Sequence, residues 1–300
     1  MKKTLTVFTP AYNRAHTIGR TYESLCRQTC KDFDWLVIDD GSSDNTQELI
    51  EGWIEEGKIP IRYIYQENQG MHGAHNTAYK NITTELNTCI DSDDWMPDDA
   101  VEIIVNLWKE KGSERYAGII GLDYACTGGL IGTKFPNDIS ESTLSGFYAK
   151  GGQGDKKLVL RTDVVKKYPE YPRFENERYF GLVYLYSLID QDYTSLVINK
   201  PLVIVDYQLD GSSHGMYRQY WNNPQGFMYL RKETMRLNKS LKTRFRNCIH
   251  YVSHCIRANK KSEFFSNPCS WLTLAALPFG CILYLVTRNK VKNNKKMKIG

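Results

Sequence analysis

The sequence predicts an α/β protein with a mainly parallel sheet, and two observations carry this prediction. Through the first 112 residues, short apolar runs that suit buried strands alternate with segments whose apolar residues recur at helical spacing. Such alternation is typical of βαβ units. In addition, two acidic clusters, Asp39–Asp40 and Asp91–Asp94, each follow a predicted strand. Because ligands of open α/β sheets gather at the carboxyl ends of the strands, both clusters are expected at one edge.

The individual elements follow from apolar spacing and from helix-start signals. In the first half, strands are predicted at 5–9, 35–38, 61–65 and 86–90, and helices at 17–28, from the caps at 43–46 through 54, at 71–81 and at 98–111. Pro97 lies just inside the start of the last helix, where proline is favoured. Beyond residue 115 the pattern weakens. It predicts strands at 117–122, 130–135, 157–160 and 202–207, an apolar segment of either type at 180–189, and helical residues from 217 to about 258.

The distribution of charge argues against a nucleic-acid binder. The segment from Arg288 to Gly300 holds six lysines and arginines and no acid, and removing these from the net charge of +5 leaves a body near −1. A uniformly basic surface is therefore excluded. A short polybasic tail favours an anionic membrane surface instead.

The cysteines and the N-terminus favour a reducing, cytoplasmic location. The eight cysteines form no CxxC pair and no zinc-type knuckle, and several lie in apolar runs, where a thiol behaves as a small hydrophobe. The first residues enter a strand-like pattern at once, without the apolar core of a signal peptide.

The cluster Asp91-Ser92-Asp93-Asp94 has the composition of a divalent-cation site. A hard cation held by carboxylates bridges the two phosphates of a nucleotide-sugar and absorbs the charge that grows on the leaving diphosphate. Closely spaced carboxylates would repel one another without a cation or a helix dipole. The alternative is capping, since Asp94, Asp98 and Asp99 precede or open a helix. The two roles can coexist.

Asp40 admits two interpretations as well. Its carboxylate, at the end of an apolar strand, can accept a hydrogen bond from the N–H of a uracil-like base, with Tyr12 as an aromatic wall. Taken alone, Asp40-Gly-Ser-Ser43 is a turn followed by a helix cap, and that simpler interpretation is favoured by the residues themselves.

Four motifs in order resemble family 2 glycosyltransferases. They are Thr9-Pro-Ala-Tyr-Asn-Arg14, Val37-Ile-Asp-Asp-Gly-Ser-Ser-Asp-Asn-Thr46, Glu67-Asn-Gln-Gly70 with His75-Asn76, and Asp91-Ser-Asp-Asp-Trp-Met-Pro97. The likeness covers residues 4 to about 112 and continues loosely through 154–156 and 174–188, which resemble a capsule or lipopolysaccharide subgroup.

This resemblance implies a GT-A fold, which is Rossmann-like with a mainly parallel sheet and helices on both faces. It also implies a nucleotide-sugar donor such as a UDP-sugar, Mn²⁺ or Mg²⁺ as cofactor, and inversion of the anomeric centre. The implied nucleotide-binding residues are Pro10, Tyr12, Asn13, Asp40, Asn76, Asp91 and Ser92. The implied metal ligands are Asp91 and Asp93, with Asp94 beside them, and His214 from a later polar loop is a further candidate, with simple exposure as the alternative.

The catalytic base is the point at which the sequence departs from the family. Inverting members usually carry an acidic residue after an aromatic-Gly pair, and here Phe180-Gly181 is followed by Leu182, which cannot take a proton. Glu177, Glu175 and Asp155 are therefore the candidate bases. Simple surface solvation is the alternative for the two glutamates.

The C-terminal segment predicts membrane association. The apolar run Trp271–Thr287 is 17 residues long, about 25 Å as a helix and short of the roughly 30 Å hydrocarbon core. Pro278 favours a bent or re-entrant segment, and the basic tail favours the inner face of the plasma membrane. The alternative is an apolar helix packed on the catalytic domain.

The predicted organisation is a glycosyltransferase domain at 1–215, with a nucleotide-sugar half at 1–112 and an acceptor half at 113–215. A helical extension at 216–270 and the apolar, polybasic segment 271–300 follow. The predicted function is transfer of a sugar to a lipid-linked or polysaccharide acceptor in cell-envelope polysaccharide synthesis, peripheral to the membrane. The alternative, motivated by Leu182, is a non-catalytic nucleotide-binding subunit of an envelope assembly complex.

Overall fold

The computed structural model describes residues 3–206 and 215–296, with side chains as far as 293, and the chain divides into two compact units. Unit 1 comprises Met1–Glu170 and Leu188–Gln208, and unit 2 comprises Tyr171–Ser187 and Leu209–Gly300. The predicted boundaries fell at 215 and 270. The grouping of Tyr171–Ser187 with the C-terminal helices has no counterpart in the sequence pattern, because apolar spacing does not say which core a segment joins.

Unit 1 is built on one sheet covered by helices. Its strands are β1 (Leu5–Ala11), β2 (Phe33–Asp39), β3 (Ile61–Tyr65), β4 (Leu86–Cys89), β5 (Tyr116–Ala125), β6 (Glu141–Ser142), β7 (Lys156–Arg161) and β8 (Thr194–Val205). Its helices are α1 (Ile18–Arg27), α2 (Thr46–Glu56), α3 (Met71–Asn81), α4 (Ala100–Lys111), α5 (Leu144–Ala149) and α6 (Thr162–Val165). The strand order is β3-β2-β1-β4-β7-β5-β8-β6.

The N-terminal half of the sheet confirms the predicted βαβ arrangement. β1 pairs in parallel with β2 and with β4, and β2 pairs in parallel with β3. The carboxyl ends of β2 and β4 therefore flank that of β1. In the second half, β7 enters antiparallel between β4 and β5, whereas β5 and β8 are again parallel. The direction of β7 was not apparent from its apolar pattern, which is the same for either direction.

The strand predicted at 130–135 is wrong. Leu130 forms only an isolated bridge with Tyr124, at the end of a turn made by two left-handed glycines, Gly128 and Gly129. Gly132 has φ +80°, and a Cβ on it would lie 2.0 Å from the carbonyl oxygen of Gln153. Since strands need φ near −120°, this close approach interrupts the extended backbone that the apolar residues suggest.

The core beneath the sheet is anchored by aromatic rings. Trp35 on β2 is fully buried, stacks against Trp53 and Tyr22, and donates from Nε1 to the hydroxyl of Thr9 at 3.0 Å. A buried indole N–H needs such an acceptor, because leaving it unpaired costs about 1–3 kcal/mol. Trp35 thereby ties β2 to β1 immediately before both strands reach the edge where the acidic clusters lie.

Unit 2 is helical. It contains α8 (Met216–Asn222), α9 (Pro224–Leu237), α10 (Leu241–Arg257) and α11 (Ser270–Lys296), and α7 (Val183–Ile189), the helical outcome for the ambiguous segment 180–189, begins in it. Its core includes Met235, Tyr251 and three cysteines, Cys248, Cys255 and Cys269. All eight cysteines are free, as the absence of paired spacings predicted.

The re-entrant form predicted for the C-terminal segment is wrong, because α11 is one helix of 27 residues that continues through Pro278. Proline removes one backbone N–H and crowds the preceding turn. Close packing offsets this cost: Gly280 lies so near Val252 on α10 that an added Cβ would sit 2.5 Å from its side chain. The stretch Ser270–Asn293 has the length and apolarity to cross a bilayer, a test that core helices of soluble proteins also pass.

Candidate functional site

Asp40 organises the loop that follows β3. Its Oδ1 accepts from the side-chain amide of Gln66 at 2.6 Å and from the backbone N–H of Gln69 at 2.8 Å, and its Oδ2 accepts from the N–H of Gly70 at 2.8 Å. The side chain is 4% exposed. A buried carboxylate that accepts three hydrogen bonds is held in one orientation. Asp40 thus fixes the start of α3, and its assignment to a nucleotide base stays a prediction.

The neighbouring Asp39 holds the turn in place. Its Oδ1 accepts from the N–H of Ser42 at 2.8 Å and its Oδ2 from the hydroxyl of Tyr63 at 2.7 Å. Burial and the Asp39 carboxylate raise the pKa of Tyr63. Gly41 has φ +85°, and a Cβ there would lie 2.9 Å from the backbone nitrogen of Asn68. Only glycine suits this position, so the turn is built for close approach of two backbones.

The segment after β1 lies across this turn. Asn13 adopts φ +54°, its Oδ1 accepts from the N–H of Ser43 at 2.8 Å, and its own N–H donates to the hydroxyl of Ser42 at 2.9 Å. Tyr12 beside it is 50% exposed. A solvent-facing aromatic ring is suited to stacking on a planar ligand. Pro10 is the penultimate residue of β1, which ends at Ala11.

Helix α3 presents a buried face of polar residues toward β1. His72, His75 and Asn76 are all buried. The ring of His75 packs edge-on against Phe8, with centroids 5.0 Å apart. Burial first, then the positive charge of Lys157, lowers the pKa of His75 to about 3, so this imidazole is neutral at physiological pH.

The second acidic cluster forms a tight turn beyond β4. The N–H of Asp94 donates to the carbonyl of Asp91 at 3.0 Å, closing the turn. Asp91 and Asp93 are half-buried, while Ser92 and Asp94 are buried. The two half-buried carboxylates are thus available to a ligand, whereas the Asp94 Oδ1 accepts from the backbone N–H of Asp206 at 3.0 Å.

Burial and neighbouring negative charges raise the pKa values of Asp93 and Asp94. Burial and the neighbouring Asp91 raise the pKa of Asp94 to about 8, although Lys157 opposes the shift. Burial and Asp91 also raise the pKa of Asp93, and Arg14 opposes this. A cation placed here would relieve the repulsion, because an adjacent positive charge favours the ionised form of each carboxyl group.

Asp206 is a residue of the site that the sequence analysis missed. It follows β8, and its Oδ2 forms an ion pair with Arg20 at 2.7 Å. The thiol of Cys126 donates to its Oδ1 at 3.2 Å, and its negative charge contributes to the raised pKa of Asp93. Asp206 lay inside the strand predicted at 202–207, and because β8 ends at Val205 it takes the strand-end position that drew attention to the other two clusters.

Lys157 on β7 was also missed. Its ammonium group donates to the carbonyl of Cys89 at 2.9 Å, at the end of β4. Burial opposes its charge, yet Asp123, Cys89 and Asp91 raise its pKa. Sequence patterns treat lysine as a surface residue. Only the antiparallel insertion of β7 beside β4 brings this ammonium group to the acidic turn.

The carboxylates fit a divalent cation that takes further ligands from its substrate. In the described parts of the chain, no group of three or more His, Cys, Asp or Glu side chains is arranged to enclose a metal ion. Asp91 and Asp93 form a pair instead. Mg²⁺ is often bound through one or two carboxylates, with phosphate oxygens and water completing the octahedron. His214, the further candidate, lies outside the described residues.

The three candidate bases differ in their surroundings. Asp155 in unit 1 and Glu175 in unit 2 are exposed. Glu177, 6% exposed, accepts from the N–H of Gln225 with Oε1 and from that of Gly226 with Oε2, both at 2.8 Å, so it caps the N-terminus of α9. Burial raises its pKa, opposed by these two N–H groups. The catalytic role of each of the three stays a prediction.

Residues 6–153 match the family model described as Glycosyl transferase family 2. The chain contains a glycosyltransferase family 2 domain. The match spans all four motifs that carried the resemblance and ends just before the Asp155 candidate.

The curated relatives match this chain over only part of their own length. It is similar to the glycosyltransferase GlyA of Streptococcus pneumoniae, 36% identical over 33% of this chain and 14% of that protein. Chondroitin synthase of Escherichia coli is 33% identical over 35% of this chain and 15% of that protein. A GalNAc(5)-diNAcBac-PP-undecaprenol β-1,3-glucosyltransferase of Campylobacter jejuni is 29% identical over 39% and 37%. The matched segment thus spans well under half of each relative.

Solved structures confirm the GT-A fold of the glycosyltransferase domain. Residues 1–349 of S. aureus TarS in complex with UDP-GlcNAc superpose with a TM-score of 0.62 at 16% identity, covering 92% of this chain and 80% of that one. The mannosyltransferase PcManGT of Pyrobaculum calidifontis, in complex with GDP-Man and Mn²⁺, gives a TM-score of 0.55 at 15% identity, covering 95% and 88%. Together with the family match and the curated relatives, this fold does not favour the alternative of a non-catalytic subunit.

Proposed function

We propose that this protein transfers a sugar, with inversion, from a nucleotide diphosphate donor to a lipid-linked or polysaccharide acceptor in cell-envelope polysaccharide synthesis. A UDP-sugar is the proposed donor. The observation that carries the proposal is the Asp91–Asp94 turn at the carboxyl end of β4, with two half-buried carboxylates and raised pKa values for Asp93 and Asp94. Repelling carboxylates at a ligand-binding edge of an α/β sheet favour a cation-bound anionic ligand.

In this proposal, one group of residues at the sheet edge binds the nucleotide and another holds the metal ion. Tyr12 stacks on the base, Asp40 keeps the loop before α3 in position, and Asn76 with Ser92 lines the nucleotide. Asp91 and Asp93 hold the Mn²⁺ or Mg²⁺ ion. When bound, that ion neutralises the charge that develops on the leaving diphosphate. Arg14, whose charge favours ionised Asp93, helps keep that carboxylate charged before the ion arrives.

The acceptor class is supported by relatives and by the C-terminal helix. The Campylobacter jejuni relative is named for an undecaprenol-diphosphate-linked acceptor. In α11, one face packs on α10, and the other exposes large apolar side chains, among them Trp271 (68%), Leu274 (62%) and Ile282 (58%). Exposed basic residues, Arg288, Lys290 and Lys292, follow at the C-terminal end of the helix. An apolar stripe ending in cations suits the inner face of a plasma membrane bearing anionic lipids.

A donor-hydrolysis assay tests the proposed activity. The purified full chain is incubated with a panel of UDP- and GDP-sugars, with Mn²⁺, Mg²⁺ or EDTA, and release of the nucleoside diphosphate is measured. Turnover of at least one donor that requires the metal supports the proposal. The proposal is contradicted if the folded protein binds UDP and Mn²⁺ but turns over no donor. This holds only if lipid and glycan acceptors have also been added.

A further inference from the structure

A group of four basic side chains lies between α9 and α10 in unit 2, remote in sequence from the acidic turns. Arg231 on α9 and Arg246, His250 and His254 on α10 form this basic cluster. The rings of His250 and His254 have centroids 6.2 Å apart, and each meets the ring of Tyr220 edge-on, at 5.7 and 5.3 Å. The guanidinium group of Arg231 lies 5.9 Å from the same Tyr220 ring.

The hydrogen-bond partners of Arg231, the half-buried arginine of the basic cluster, are neutral. Arg231 donates to neutral acceptors, the side-chain oxygen of Asn247 at 3.3 Å and the hydroxyl of Tyr220 at 3.5 Å. In the described parts of the chain, neither Arg231 nor Arg246 forms an ion pair. Burial and both arginines lower the pKa of His250 to about 4, the shift expected where positive charge is not balanced.

Three nitrogens of the basic cluster lack hydrogen-bond partners. They are Nε of Arg231, Nδ1 of His250 and Nε2 of His254, each buried, and the His254 side chain is only 2% exposed. Native proteins satisfy the great majority of such groups, and each exception calls for an explanation. Burying an unpaired cation costs far more than burying an amide. An anion that accepts hydrogen bonds would pair with these nitrogens and would also balance the buried positive charge.

Aromatic packing explains only part of this arrangement. The ring of His254 stacks on Phe227 with centroids 5.3 Å apart, which accounts for its place in the core. Stacking does not account for two arginines, Arg231 and exposed Arg246, near enough to act electrostatically on His250. Guanidinium groups match phosphate oxygens through two parallel hydrogen bonds, and a neutral imidazole N–H can add a third.

We propose that Arg231, Arg246 and His250 form a binding site for a phosphate group, with His254 supporting the ring of His250. The proposal extends the proposed function, because a phosphate attached to a lipid is the form in which such a group would meet a helical unit that also exposes the apolar stripe of α11. The lipid is either an anionic headgroup or a diphosphate-linked acceptor. Their shared chemistry is a phosphate ester at a membrane surface.

Binding of inorganic pyrophosphate to the full chain tests the site itself. Isothermal titration calorimetry is performed with Mn²⁺-free protein, for the wild type, R246Q and K242Q. Lys242 is exposed on the same helix, so K242Q removes one positive charge outside the basic cluster. We expect R246Q to weaken pyrophosphate binding about tenfold or more and K242Q to change it less than twofold. Equal affinities for the two variants would overturn the proposal.

Arg246 is the first choice because it is exposed, so R246Q is expected to keep the fold. R231K is a second variant that keeps the charge and removes the two-pronged geometry. It is expected to weaken pyrophosphate binding by more than any loss of stability explains, and its unfolding midpoint is measured beside its affinity. D93N, which acts on donor turnover, should leave this binding unchanged. The failure of the donor site and the failure of the basic cluster are therefore distinguishable.

Flotation with vesicles tests whether the bound phosphate is carried by a lipid or is soluble. Phosphatidylcholine vesicles containing phosphatidic acid are compared with vesicles of equal charge containing oleate, which offers a carboxylate but no phosphate. Reduced binding of R246Q, but not K242Q, to the phosphatidic acid vesicles alone assigns the site to a lipid phosphate. A tenfold loss of pyrophosphate affinity without any vesicle effect assigns it to a soluble phosphate and overturns the membrane part of the proposal.

Discussion

The backbone N–H of Asp206 donates a hydrogen bond of 3.0 Å to Oδ1 of Asp94, across 112 positions of sequence. The backbones are joined nearby as well, since Trp95 and Ile204 exchange hydrogen bonds of 3.1 and 2.8 Å. The turn after β4 is thereby fixed to the end of β8. As a result, the carboxylates of Asp91 and Asp93 are held by backbone geometry and do not depend on a mobile loop.

Replacing Asp93 with asparagine should abolish donor turnover. The variant keeps the size of the side chain and removes one of the two half-buried carboxylates proposed to hold the metal. We expect a fall in kcat of about 100-fold or more, as for loss of a group that stabilises developing charge. The measurement is metal-dependent release of UDP. D98N is the matched control, because Asp98 is exposed and paired with Arg27. Equal activity in both variants would exclude a metal role for Asp93.

Loss of the ion pair between Arg20 and Asp206 should lower the apparent affinity for the metal more than it lowers the free energy of unfolding. Half-exposed ion pairs contribute about 0–1 kcal/mol, so D206N is expected to change the unfolding free energy by less than about 1 kcal/mol. Its backbone donor to Asp94 is retained. The lost charge should nevertheless weaken the apparent affinity for Mn²⁺ by a few-fold, measured from activity against metal concentration. A large loss of stability with unchanged metal dependence would contradict this expectation.

Glu177 should prove structural. Both of its oxygens accept from the first turn of α9, so E177Q is expected to lower the unfolding free energy by about 1–3 kcal/mol. E175Q, at an exposed position, is the control and should be neutral. A catalytic base gives a different signature, a fall in kcat of about 10²–10⁴ without loss of stability. That signature in E177Q, E175Q or D155N identifies the base, and in E177Q it would refute the structural assignment.

Protonation of His75 should destabilise the fold in acid. Its folded pKa of about 3 lies below the ordinary value of 6.5, so between these pH values the unfolded chain binds a proton that the folded chain does not. Stability therefore rises with pH through this window, by up to about 1.4 kcal/mol per pH unit for one group, and is lost as the pH falls. Urea unfolding of the wild type and H75F between pH 4 and pH 7 measures the difference. An identical slope for both proteins would contradict the prediction.

The exposed stripe of α11 should bind vesicles. The double substitution L274Q/I282Q removes two large apolar side chains that are 62% and 58% exposed. Since burial of such a side chain contributes about 1.5–3 kcal/mol, the partition coefficient should fall tenfold or more. N289Q, at an exposed polar position of the same helix, is the control. Sedimentation with anionic vesicles is the measurement, and unchanged partitioning of the double variant would exclude the stripe as the membrane contact.

Local pattern was sufficient for the first half of the fold. Parallel strands and their helices leave period-specific apolar spacings, and these predicted β1 to β4 with α1 to α4 and placed Asp40 and Asp91–Asp94 at one edge. The same reasoning produced a strand at 130–135, where left-handed Gly132 prevents one, and a re-entrant segment at 271–287, where packing of Gly280 on α10 favours a continuous helix. Both errors come from contacts with distant residues, which spacing does not record.

The sequence by itself determined the α/β class, the family resemblance and the residues at the ends of β2 and β4, because these depend on neighbours along the chain. The tertiary structure decided what surrounds them. It brought Asp206 to Asp94, inserted β7 antiparallel so that Lys157 reaches Cys89, and used Glu177 to cap α9. Charge, burial and hydrogen bonding act through space, so the electrostatics of the site arise only when strands distant in sequence become neighbours.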